Sequence, residues 1–289
     1  MTAVAREVVG FPPDKKHDAK REDKRFCSFF GAPILVITHV WNLIQNSLVD
    51  NALPKCTFWA HVFLHVYSTE EVHCRIVGML DPGTFRKWCW CMLEKIAVLK
   101  IEIIKLDNRF EKWDGAQCLM SIDGVDCMVM EPWPFDSKMY SQKFNGPGVK
   151  CEVGVCIKTG HVVWLNGPFV ASSDDAAIFK ETLANLLADD EGVEVDAGCK
   201  GHDKFKAPVT ASSRVHRKEK SVVRGRHENI NSRLKIFNVL NVPFRHTNPR
   251  DQMMRKHGLC VDVIALTTQL KFELAGETLY DVKCTVTCT

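Results

Sequence analysis

The chain has 289 residues, 46% hydrophobic and 25% charged, enough for one large domain and a smaller one, each with its own core. Its formal net charge is only +3, so no global basic field marks a nucleic-acid binder, and any such role must come from local clusters. Thirteen cysteines include no CxxC pair and follow no secretory signal, which argues against a disulfide framework and for reduced thiols in the cytosol or nucleus.

Residues 1–26 end in PPDKKHDAKREDKR, charged in both signs and poor in apolar side chains, and are expected to form a disordered arm. GAPILVITHVWNLI (31–44) is too short to span a membrane and contains His39 and Asn42, so it reads as a buried helix or strand. The region 27–112 reads as helical. TFWAHVFLHVY (57–67) is apolar and aromatic, and STEE (68–71) is a capping box for the next helix. DPGTFRKWCWCMLEKIAVLK (81–100) predicts a helix capped by Thr84, with a stripe of Phe85, Trp88, Met92 and Ile96. Arg86 and Lys87 fall off that stripe. They could face phosphates, as in a helix-turn-helix module, or simply form a solvated face.

From about residue 113 the periodicity changes. AQCLMSID and CMVMEP predict two strands joined by a tight turn, with Asp123 ending the first. VKCEVGVCIKTGHVVWLNGPF (149–169) predicts a hairpin about Thr159-Gly160-His161. DDAAIFKETLANLLADD predicts a helix capped by Asp174 or Asp175, with Ile178, Leu183 and Leu186 turned inward. GVEVDAG predicts a short strand ending in Asp196. The stretch 200–226 carries nine Lys or Arg against Asp203 and Glu219 without an apolar period. It reads as an irregular basic loop suited to a phosphate backbone, or as a solvated loop. GRHENINSRLKIFNVL predicts a helix opened by Glu228, its apolar stripe Ile230, Leu234 and Phe237, and LCVDVIALTTQL predicts a last helix. Cys199 with His202, and His257 with Cys260, lack the usual zinc-finger spacing.

Ionised Asp is almost never buried unless it is paired or bound to metal. Asp123 and Asp196 each close an apolar strand and are followed closely by Gly124 and Gly198, where α/β sheets form ligand crevices. Glu228 sits off the apolar stripe of its helix, free to join them. Three converging carboxylates would raise one another's pKa values, and divalent oxygen-seeking cations such as Mg²⁺ or Mn²⁺ relieve that repulsion. Acids near strand ends are also frequent turn formers, so spacing alone leaves both readings open.

In order along the chain, SIDGVDCMVMEPWPF, YSQKFNGPGVKCEVGVCIKTGHVVWLNGPF, DDAAIFKETL, VEVDAGCKG and RGRHENINSRLKIFNVLNVPFRH resemble the PIF/Harbinger-type DDE transposase and nuclease domain, over roughly residues 57–285. The resemblance implies an α/β, ribonuclease H-like fold: a mixed sheet flanked by helices, in the order strand-strand-strand-helix-strand. It implies that Asp123, Asp196 and Glu228 are catalytic and hold two Mg²⁺ or Mn²⁺ ions, that Asp175 is a further acidic ligand position, and that Arg224, Arg226 and Lys235 meet DNA phosphates. It also implies phosphodiester cleavage as an endonuclease or transposase, a nuclear location and a separately encoded Myb-like DNA-binding partner. The family usually has Tyr at the place of Cys199, Gly-Thr at Gly124-Val125 and a Gly-containing loop at 171–173. The alternative expectation is a catalytically inactive, transposon-derived DNA- or protein-binding module.

Overall fold

A computed structural model of the protein describes residues 1–11, 18–48, 51–79, 81–113, 115–196, 201–206, 214–245 and 249–277, with backbone alone for 214–220. Its helices are α1 (Thr2–Val8), α2 (Ala19–Phe30), α3 (Ile34–Ile44), α4 (Pro54–Val66), α5 (Glu70–Ile76), α6 (Pro82–Ala97), α7 (Lys100–Ile103), α8 (Asp175–Glu181), α9 (Arg214–Lys235), α10 (Asn238–Asn241) and α11 (Arg250–Ala275). Its strands are β1 (Cys118–Met128), β2 (Tyr140–Ser141), β3 (Gly146–Cys156), β4 (Val162–Val170), β5 (Gly192–Glu194) and β6 (Phe205–Lys206). The chain divides into two compact units. The first is Met1–Ile103 with Arg233–Pro243 and Lys256–Glu277; the second includes Ile104–Ser232 and Phe244–Arg255. The first unit takes in α11 from Lys256 onward, whereas Arg250–Arg255 of that helix belong to the second.

The first unit is helical. The expected disordered arm is largely helix. Asp18 caps α2 by accepting the Arg21 N–H at 3.0 Å, Arg6 of α1 pairs with Glu22 of α2, and Ala5, Phe11 and Phe26 are buried. A dense run of charges hid this thin apolar face. Two caps also differ from expectation. Thr69, not Ser68, opens α5 by accepting from Val72 N, and Asp81, not Thr84, opens α6 by accepting from Gly83 N and Thr84 N. Pro82 after Asp81 is preset for the first helical position, which moves the start three residues upstream. The stripe Phe85, Met92 and Ile96 is core, joined by Cys89 and Leu93, while Trp88 is half-buried. The run 31–44 is the one-sided helix α3, with Val36, Ile37, Val40 and Ile44 buried and Leu35 exposed. No single helix among the described residues is long and apolar enough to cross a membrane.

The second unit is α/β, built on a mixed six-stranded sheet flanked by helices. The main path is β4-β3-β1-β5-β6, and β2 pairs with the start of β3. β1, β3 and β4 pair antiparallel, whereas β1, β5 and β6 pair parallel. The expected β3–β4 hairpin is present. Gly160 supplies its turn at φ +77°, a conformation other residues adopt at a cost. Met120, Ile122, Val193, Phe179 and Leu183 form the core beneath α8.

The expected strand-turn-strand at 118–132 is instead one strand. β1 pairs with β3 without interruption from Met120↔Cys156 to Met128↔Gly148, so Gly124 stays in the ladder opposite Glu152. An eleven-residue partner satisfies the backbone of every rung, which outweighs the turn preference of Asp-Gly. Asp123 therefore lies inside β1, two residues past Ser121, where pairing with β5 stops. Three further expectations shift. α8 gives way to a 3-10 turn at Leu183–Leu186, which changes the phase so that Leu186 is exposed and Leu187 buried. The basic stretch is helical from Arg214 onward, because Lys and Arg are good helix formers. Glu228 accordingly lies well inside α9 rather than opening it.

Candidate functional site

Ser121 and Asp123 share one face of β1, because side chains alternate along a strand. His227 and Asn231 share one face of α9 at i, i+4. These four residues meet in two rungs. Ser121 Oγ lies 2.9 Å from His227 Nδ1, and Asn231 Nδ2 donates to Asp123 Oδ2 at 3.0 Å. Two strand residues rise about 6.6 Å and four helical residues about 6 Å, so the spacings match. Val223 packs against Cys118 and Ile157, and Arg226 donates to the Ile157 carbonyl, which holds the same helix further along.

Asp123 Oδ1 also accepts the Gly124 N–H at 2.8 Å. Burial pushes the Asp123 carboxyl above the ordinary carboxylate range, and the charge of Asp196 adds to the rise. The hydrogen bonds from Gly124 and Asn231 oppose it. Asp196 follows β5 and is half-exposed. Arg224 reaches both remaining acids, with Nη1 3.4 Å from Asp196 Oδ1 and Nε 3.0 Å from Glu228 Oε1. Its own affinity for protons is raised by Glu228 first and Asp196 second. Asp123, Asp196 and Glu228 thus line one cavity, together with Ser121, Glu194 and His227. Among the described residues no three acidic, His or Cys side chains stand close enough together to hold one ion as they are placed.

A second cavity adjoins Asp123 on the β3 side and is lined by Gly124, Lys150, Glu152 and Asp175. Asp174 caps α8 by accepting from Ala177 N at 2.9 Å, so Asp175 is not the cap. Asp175 pairs instead with Lys150 Nζ at 2.8 Å, and its carboxylate lies over Gly124, where a Cβ would sit 3.6 Å from Oδ1. Glu152 is buried and accepts the Trp164 indole N–H at 2.6 Å. Burial first, opposed by that hydrogen bond and assisted by Asp175, moves its carboxyl up to about 7.

The remaining expected contacts are more dispersed. Lys235, Arg86 and Lys87 belong to the first unit. There Arg86 pairs with Glu70, with Nε 2.6 Å from Oε1, and Lys87 Nζ lies 5.9 Å from the Trp88 ring centroid. Gly198 and Cys199 lie outside the described residues. His202 packs edge-on to Phe179, while His257 and Cys260 are buried in α11. The ten described cysteines are free thiols.

Five polar residues of the two cavities escaped the sequence reading: Ser121, Lys150, Glu152, Glu194 and His227. The rule that singled out Asp123, an acid within an apolar strand, applies equally to Glu152 in VKCEVGVC and Glu194 in GVEV, and would have found both. Comparison with protein-family models, with curated proteins and with solved structures finds no match to this chain.

Proposed function

We propose that the second unit is a ribonuclease H-like, divalent-metal-dependent DNA nuclease of the DDE transposase type, with Asp123, Asp196 and Glu228 as its carboxylate set. The observation that carries the reading is that these three acids, spread over 105 residues of sequence, line one cavity at the point where β1 loses its β5 partner. The strand order supports it: three antiparallel strands, a helix, then a strand parallel to the first, as the resemblance implies. An all-carboxylate donor set suits hard cations such as Mg²⁺ or Mn²⁺. The Arg224 guanidinium already places positive charge between Asp196 and Glu228, which is where charge compensation is needed.

Asp123, Asp196 and Glu228 would hold the metal, with Asp175 released from Lys150 as a further ligand. Two bound ions would supply an acidified attacking water or 3′-hydroxyl and a neutralised leaving 3′-oxygen. The protein's own part is positional. Asn231 and the Gly124 N–H aim the Asp123 carboxylate, and α9 delivers Glu228 to the cavity edge. Arg224, turned outward, would meet a phosphate, with Arg226 and Lys235 as further basic positions on the same helix. Arg86 and Lys87 would add contacts from a helix-turn-helix-like α5–α6 pair, although Arg86 must first leave Glu70. A nuclear location and a separate Myb-like partner belong to the same reading.

Supercoiled-plasmid nicking tests it. Nicking should require Mg²⁺ or Mn²⁺, stop with EDTA and fall about a hundredfold or more in Asp123→Asn. Equal nicking by that variant would defeat the assignment. One observation favours the second reading, an inactive DNA- or protein-binding module: Arg224 and Lys150 already form ion pairs with three of the four acids. That reading expects DNA retardation in gels indifferent to EDTA and to Glu228→Gln.

A further inference from the structure

Glu152 is a buried acid to which the nuclease reading gives no task. It pairs with Gly124 in the β1–β3 register, so both face the α8 side of the sheet. Asp123 meets Asn231 on the reverse side. Glu152 is 6% exposed and forms no ion pair among the described residues. Acidic side chains are almost never this deeply buried unless a cation accompanies them. Oε2 accepts the Trp164 indole N–H at 2.6 Å. Oε1 has no hydrogen bond among the described residues and, unlike the orphaned nitrogens of the interior, is not sealed from a water-sized group.

The cavity over Gly124 supplies room for an occupant. It holds about 20 Å³, enough for one water or one small ion, and is lined by Gly124, Lys150, Glu152 and Asp175. Asp123 borders it too, but its carboxylate is already held by Asn231 and the Gly124 N–H. The Asp175 carboxylate is half-exposed, and its charge reaches Glu152. Lys150 is the one cation among the described lining residues. Its ammonium is committed to Asp175 Oδ1 at 2.8 Å and to the Ser173 carbonyl at 3.0 Å. Glu152 and Asp175 thus share one lysine, and the acid it leaves uncompensated is the more deeply buried.

We propose that Glu152 and Asp175 form a site for one divalent cation of the Mg²⁺ or Mn²⁺ class on the α8 face of the sheet. Such ions bind through one or two carboxylates and keep several waters. No third acidic, His or Cys side chain stands close enough among the described residues, so waters complete the shell. They enter from the half-exposed Asp175 side. Glu152 Oε1 would bind the ion while Trp164 fixes the other oxygen, and Asp175 would exchange Lys150 for it. The site shares Asp175 with the nuclease reading but needs none of Asp123, Asp196 and Glu228, so either can fail alone.

The test uses the full chain carrying Asp196→Asn and Glu228→Gln, which disables the carboxylate set on the other face. The Trp164 indole ¹H–¹⁵N signal, assigned with Trp164→Phe, is followed during titration with Mg²⁺, and affinity is measured with Mn²⁺ by electron paramagnetic resonance. Mg²⁺ should shift the signal saturably. Adding Glu152→Gln, which keeps an acceptor for Trp164, should weaken Mn²⁺ binding about tenfold or more. Gly124→Ala should do the same without lowering the melting temperature. Its Cβ would lie 3.6 Å from Asp175 Oδ1 and from Lys150 Cδ, an ordinary contact that takes up the space for the ion. A Trp164 signal that Mg²⁺ leaves in place, or Mn²⁺ affinity unchanged by either added substitution, would overturn the site. Plasmid nicking by the unmodified chain beside an unmoved Trp164 signal removes this site and keeps the nuclease; a shifted signal without nicking does the reverse.

Discussion

Asn231 of α9 donates a 3.0 Å hydrogen bond to the carboxylate of Asp123 on β1, so a residue 108 positions away orients the acid at the centre of the site. The bond favours the charged form of Asp123, against burial and the charge of Asp196. Asn231→Leu should therefore raise the Asp123 pKa further, read from its side-chain ¹³C carboxyl shift against pH. Global stability should change by less than about 1 kcal/mol, because Asn231 Oδ1 is itself buried without a partner among the described residues and the substitution removes that orphan too. An unmoved or lowered carboxyl pKa would contradict the assigned role.

Arg224 makes opposite predictions for two ligands. It occupies the space between Asp196 and Glu228, so Arg224→Gln should bind Mn²⁺ more tightly, as followed by electron paramagnetic resonance of the free ion. The same change should weaken DNA binding and lower the slope of log affinity against log salt by about one phosphate contact. Parallel changes in both affinities would rule out competition between guanidinium and metal.

Acid should destabilise the protein through histidines buried in neutral form. Burial lowers His61, His227 and His257 from the ordinary 6.5 to about 4 each. Each folded-state value lies below the unfolded one, so the stabilising difference is complete above about pH 6.5 and is lost as the pH falls towards 4. Between those limits each should remove about 1 kcal/mol of stability per pH unit. Urea unfolding at pH 7, 6 and 5 checks this, and His61→Gln should flatten the dependence.

Arg109 and Glu191 form a buried pair at 2.7 Å, each side chain only 5% exposed. Truncating one partner leaves the other charged and without compensation, so Arg109→Met should cost about 3–5 kcal/mol in chemical unfolding. The double variant Arg109→Met with Glu191→Met should recover most of that loss. If the single variant costs under about 1 kcal/mol, water has reached the pair.

Much of the second unit was legible because its cues are local. Thr159-Gly160-His161 marks a hairpin by turn chemistry, and Ile178 with Leu183 marks an inward face by period. What failed depends on a distant partner. Asp-Gly at 123–124 reads as a turn until β3 supplies nine consecutive rungs opposite it. Of the two acids that could cap α8, Asp174 does so, and only Lys150 of a distant strand shows what Asp175 pairs with. His227 carries no signal as an isolated histidine, because its significance lies in facing Ser121 of β1 from helix α9. That Asp123 and Asp196 line a common cavity could be suspected from their odd placement in apolar runs, and Glu228 was added by the resemblance. The arginine between two of them was foreseen only as a phosphate contact.

The matched rise of β1 and α9 works as a vernier, and its tolerance is narrow. One residue inserted between His227 and Asn231 would turn everything beyond it by about 100° about the helix axis. Asn231 would swing off Asp123 while His227 stayed seated, so no sliding of the helix could restore both contacts. Substitutions can drift at the exposed positions of this segment, but its length cannot. The count of residues from Ser121 to Asp123, and from His227 to Asn231, is therefore a stricter signature of the site than the identity of most side chains around it.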